Sequence, residues 1–121
     1  MNFRLKKLSD QVMVITGASS GIGLVTARLA AKRGARLVLN ARNEEALDRV
    51  VNEINNGGGE AIYVAGDVGN FDDVHKIALE AIRHFGGFDT WVNNAGVSIY
   101  GAVLDQSLED QRRLFETNYW G

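Results

Sequence analysis

There is no cysteine among the 121 residues. That absence excludes disulfides, thiolate metal sites and a cysteine nucleophile together, and it fits a reducing compartment. Proline is also absent, where about 5% is usual. Turns must therefore be punctuated by the 14 glycines and by capping side chains. No apolar run approaches the roughly 20 residues that cross a bilayer. Residues 1–11 carry Arg4, Lys6 and Lys7, with no apolar stretch or small-residue cleavage site behind them, so no signal peptide is read. The expected setting is the cytoplasm, without membrane contact. His75 and His84 are the two histidines; both fall on or beside the third helical stretch and read as surface residues, so no metal site is expected.

Net charge is −2 but uneven. Residues 1–42 hold eight Lys/Arg against one acid, a local +7, and the remainder holds five against fourteen, a local −9. Such asymmetry can mark nucleic-acid binding. Here no aromatics interleave the bases, and Arg28, Lys32 and Arg33 fall late in a helical stretch, where cations suit the macrodipole and solvent. No nucleic-acid partner is expected.

What is present is a regular alternation. Short apolar runs at Val12–Ile15, Arg36–Asn40, Ala61–Ala65 and Phe88–Asn93 alternate with helical patterns. The first pattern runs through Ile22, Val25, Leu29 and Ala30. The second, Glu44 to Asn56, runs through Ala46, Leu47, Val50, Val51 and Ile54 and stops at Gly57-Gly58-Gly59. The third, Asp72 to Phe85, runs through Val74, Ile77, Ala78, Ala81 and Ile82 and stops at Gly86-Gly87. Ser107 to Asp110 resembles a capping box opening a fourth helix through Leu114, Phe115 and Tyr119. Strands separated by helices of ten or more residues imply βαβ units and a parallel sheet. The expected fold is α/β, a Rossmann-type doubly wound parallel sheet of order 3-2-1-4 with flanking helices. Residues 1–121 read as a single, incomplete domain. A crevice is expected above the carboxyl ends of the first and fourth strands, where strand order reverses.

Thr16-Gly17-Ala18-Ser19-Ser20-Gly21-Ile22-Gly23 joins the first strand to the first helix. Unpaired helix-start amides there point at whatever occupies the turn, and a phosphate suits them best. Gly17 permits the sharp turn, Gly21 lets a pyrophosphate approach, and Gly23 lets the helix pack close. Ser19 and Ser20 add hydroxyls. The second strand ends Asn40-Ala41-Arg42-Asn43, with no carboxylate to meet a ribose 2′-hydroxyl. Arg42 offers a guanidinium that can grip a 2′-phosphate. The expected cofactor is NADP(H).

These residues, together with Gly66-Asp67-Val68 and Asn93-Asn94-Ala95-Gly96, resemble the short-chain dehydrogenase/reductase family from residue 9 to 121. The resemblance implies hydride transfer between a nicotinamide and a small alcohol or carbonyl substrate. It implies that Asp67 receives the adenine amino group, that the Val68 backbone meets the ring, and that Asn93, Ala95 and Gly96 line the ribose. Together with Gly17, Ser19, Ser20, Gly21, Ile22, Gly23 and Arg42, these form the expected cofactor site. Asn94 reads as a structural brace. Asn118, in Asn118-Tyr119-Trp120-Gly121, matches the helix asparagine of the family's catalytic tetrad. A homo-oligomer is implied for the full-length form. The serine and the Y-x-x-x-K pair of that tetrad are not found: Asp67 and Leu104 stand four residues after Tyr63 and Tyr100, and Tyr119 lies two residues before Gly121. The stretch is expected to supply the cofactor-binding half and to be inactive and marginally stable alone. The alternatives are a non-catalytic dinucleotide-binding module or a truncation fragment.

Overall fold

The computed structural model describes residues 6–94. After one 3-10 turn at Leu8–Asp10, four strands alternate with three helices: β1 (Val12–Ile15), α1 (Gly21–Lys32), β2 (Arg36–Ala41), α2 (Glu44–Asn56), β3 (Glu60–Ala65), α3 (Phe71–Phe85) and β4 (Thr90–Val92). The sheet is wholly parallel, in the order β3-β2-β1-β4. The doubly wound α/β arrangement expected from the alternation is therefore the one observed. Strand order reverses between β1 and β4, so the switch point at which a crevice is expected lies at their carboxyl ends.

Successive strand side chains face opposite layers. Met13 and Ile15 of β1, with Leu37 and Leu39 of β2, pack against Ala27 and Ala30 of α1 and Leu47, Val50, Val51 and Ile54 of α2. Val14, Val38 and Val64 face the other way, onto Ile77 and Ala81 of α3. β1 and most of β2 are buried, as continuous apolar runs require, while the outer strands β3 and β4 are only partly covered.

Side-chain caps set two helix starts. Asn43 accepts the Ala46 N–H, and Asn70 accepts the N–H groups of Asp72 and Asp73. α3 ends on Gly86 at φ +82°, a left-handed conformation that glycine adopts without a Cβ penalty. α2 ends at Gly57, but the left-handed residue is Gly58, one position on.

Two expectations need correction. Ile22, Val25 and Leu29, the large apolar residues of the first helical pattern, are more than half exposed; Gly23, Ala27 and Ala30 face the core instead. Small residues let α1 approach the sheet closely. The fourth strand is also shorter than Phe88–Asn93. Asp89 uses its side chain as well as its backbone on Val12, and Phe88 stacks edge-on against Trp91 with centroids 5.4 Å apart, so regular pairing starts at Thr90. The capping box at Ser107 and the helix after it lie outside the described residues.

Candidate cofactor-binding site

The floor of the crevice is a hydrogen-bonded junction between the ends of β1 and β4. Thr16, fully buried, donates its N–H to the Val92 carbonyl at 3.0 Å. Its hydroxyl lies 3.3 Å from the same carbonyl and accepts the Asn94 N–H at 3.0 Å. The Asn94 side-chain amide then donates to the Gly17 carbonyl at 3.4 Å. Asn94 thus links the end of β4 to the glycine turn, which is the geometry of a brace.

From Gly17 the chain leaves β1 at φ +62°, and Gly21 opens α1 at φ +57°. Both values lie where a side chain is strained. Between them, the Ala18 N–H donates to the Asn40 carbonyl at 2.9 Å and ties the turn to β2. Gly23 has a sharper constraint than close helix packing. A Cβ there would lie 2.1 Å from the Gly17 carbonyl oxygen and 2.6 Å from the Asn94 amide nitrogen. The first turn of α1 therefore folds directly over the start of the glycine turn. Around Gly21, a Cβ would meet nothing within 4 Å, so this side of the turn is open. Ser20 occupies the N-cap position, yet its side chain makes no capping bond. The amides of a first helical turn have no intrahelical acceptor, and the positive helix end lies beside them. Free amides at a helix start are suited to an anion. Ser19 is half-buried on the turn; Ile22 is exposed at the helix start and brings its backbone to the same opening.

β2 ends on buried Ala41, and Arg42 just beyond it is exposed. The Ala41 carbonyl accepts the Gly66 N–H at 3.0 Å, so Arg42 and the Gly66–Val68 turn emerge side by side. Within that turn, the Asp67 N–H donates to Asp73 Oδ2 at 2.9 Å, and Asp67 Oδ1 accepts the Gly69 N–H at 2.8 Å. Val68 is buried with Val64, Ile77 and Ala81, on the α3 side of the sheet. Asn93 Oδ1 accepts the Trp91 indole N–H at 2.8 Å. Ala95, Gly96 and Asn118 lie outside the described residues.

Tyr63, in β3, has its phenol pushed above the ordinary tyrosine range, first by desolvation and then by the carboxylates of Asp48 and Glu44. A proton-relay tyrosine needs the opposite shift. His84 pairs with Glu80 at 3.2 Å and His75 rests against Phe71, both on α3. Among the described residues, no group of three or more His, Asp or Glu is placed to hold a metal. No described helix is long and apolar enough to cross a membrane. Two residues escaped the sequence reading: Asn40 and Asp73, whose side chains reach the Gly66–Val68 turn.

A parallel sheet with a glycine turn at its switch point defines a nucleotide-binding α/β protein. Residues 11–121 match the short chain dehydrogenase family, and the chain belongs to it. It is 59% identical over 118 residues to the uncharacterized oxidoreductase YxnA of Bacillus subtilis (strain 168), covering 98% of this chain and 33% of that protein. Among solved structures, it is similar to L-sorbose reductase from Gluconobacter frateurii, complexed with NADPH and L-sorbose. Identity is 35% and TM-score 0.79, covering 88% of this chain and 41% of that one. It is also similar to a short chain dehydrogenase/reductase from Burkholderia phymatum in complex with NAD. There the identity is 36% and the TM-score 0.80, covering 95% of this chain and 41% of that one. The chain therefore spans a third to under a half of these relatives.

Proposed function

We propose that this chain is the cofactor-binding part of an NADP(H)-dependent oxidoreductase that interconverts an alcohol and a carbonyl in a small molecule. When bound, the nicotinamide supplies or accepts the hydride. The amides of Gly17, Ser19, Ser20, Gly21, Ile22 and Gly23 hold the diphosphate, with both serine hydroxyls beside it. Asp67 and the Val68 backbone take the adenine; Asn93, Ala95 and Gly96 take the ribose. Asn118 is the one residue of this chain assigned to catalysis, holding a proton-relay water.

The observation that carries the choice of cofactor is the end of β2. Buried Ala41 offers no carboxylate to repel a 2′-phosphate, and the exposed Arg42 guanidinium follows it at once. Arg42→Ala and Arg42→Glu test this by calorimetric titration. NADPH affinity is expected to fall about tenfold or more, while NADH affinity changes less than about twofold. A wild-type chain that favours NADH would overturn the assignment.

A further inference from the structure

The turn from β3 into α3 is gripped from both sides by side chains that lie outside it. Asn40, only 1% exposed in β2, donates Nδ2 to the Val64 carbonyl at 2.9 Å and to the Gly66 carbonyl at 3.2 Å. From the first turn of α3, Asp73 Oδ2 accepts the Asp67 N–H at 2.9 Å. Gly66 lies between the two grips: a Cβ there would sit 3.1 Å from Asp73 Cβ, Cγ and Oδ2. The Asn40 carbonyl also accepts the Ala18 N–H from the glycine turn. One residue therefore bonds the glycine turn through its backbone and the Gly66–Val68 turn through its side chain.

Among the described residues, the buried Asn40 Oδ1 has no hydrogen-bond partner. That oxygen is a cost, set against the two bonds that Nδ2 donates. What the amide supplies is direction: it holds two carbonyls at fixed points, which an apolar side chain cannot do.

We propose that Asn40 and Asp73 are positioning residues for the adenine end of the cofactor. Together they set the Asp67 carboxylate at a fixed separation from the glycine turn, so that base and diphosphate are held in one geometry. This rests on the reading of Asp67 as the acceptor of the adenine amino group.

The test is calorimetric titration of the full chain with NADPH and with its deamino analogue, in which hypoxanthine replaces adenine and the amino group is lost. Wild type is expected to prefer NADPH about tenfold, the scale of one hydrogen bond to a charged group. Asn40→Leu and Asp73→Ala are expected to bring the two affinities within about twofold, as Asp67→Ala would. Asp73→Asn keeps an oxygen for the Asp67 N–H and is expected to restore the preference. Should Asn40→Leu fail to fold, the two Asp73 variants decide between them. Variants that keep the wild-type preference, or that weaken both dinucleotides by one factor, would overturn the positioning role and leave the cofactor reading intact. Wild type binding neither dinucleotide would overturn the cofactor reading itself. Equal binding of both by wild type would remove Asp67 as the adenine acceptor and the positioning role with it.

Discussion

Asn94 and Thr16 meet through one hydrogen bond, the Asn94 N–H donating to the Thr16 hydroxyl at 3.0 Å. Because Thr16 directly follows β1 and Asn94 lies just past β4, this bond closes the sheet where strand order reverses. Thr16→Val keeps the shape and removes the oxygen. The buried threonine site then leaves the Asn94 N–H without that acceptor, at a cost of about 1–3 kcal/mol. Urea denaturation of both proteins measures it. An unchanged midpoint would show that the junction does not hold β4.

Gly23 is expected to tolerate nothing larger. Its missing Cβ would fall 2.1 Å from the Gly17 carbonyl oxygen, which is backbone and cannot rotate away. Gly23→Ala must push α1 off the turn, at a cost of about 1–3 kcal/mol, with loss of dinucleotide binding. Gly21→Ala is the comparison. It has open space but a φ of +57°, so its cost is the backbone strain alone, about 1–2 kcal/mol. Thermal melts with NADPH titrations separate the two; equal behaviour would refute the close-approach argument.

Acid should loosen the start of β4. Asp89 Oδ1 accepts from Lys6 Nζ at 2.6 Å, and Oδ2 accepts the Val12 N–H at 2.9 Å. The Lys6 hydrogen bond first, and the Val12 amide second, hold this carboxyl below the usual range. A depressed folded-state pKa adds stability above the unfolded value, about pH 4, and that stability is lost as pH falls below it. Asp89→Asn is therefore expected to flatten the acid side of the stability curve and leave its shape near neutrality. Denaturation midpoints between pH 3 and pH 7 test this. Parallel curves for wild type and variant would rule out Asp89 as an acid-sensitive contact.

The sheet order and α2 were legible because their signals are local and redundant. α2 has an Asn43 cap, acids in its first turn, glycines after its end and one apolar stripe, and all agree. α1 was not legible in the same way. Periodicity marks Ile22, Val25 and Leu29 as one stripe, but not which neighbour that stripe faces. The core selects α1 by closeness instead, through Gly23, Ala27 and Ala30. Of the site, the glycines and Arg42 could be found by spacing from the strand ends. Asn40 and Asp73 could not, because their importance lies in contacts across 26 and 6 residues that only the folded chain reveals.

The central claim is that the opening between Gly17 and Gly23 holds a diphosphate on backbone amides. Phosphorus NMR of NADPH titrated with the full chain addresses it most directly. The account predicts that both diphosphate resonances shift and saturate together with the 2′-phosphate resonance. Movement of the 2′-phosphate alone, or of no resonance, would contradict it.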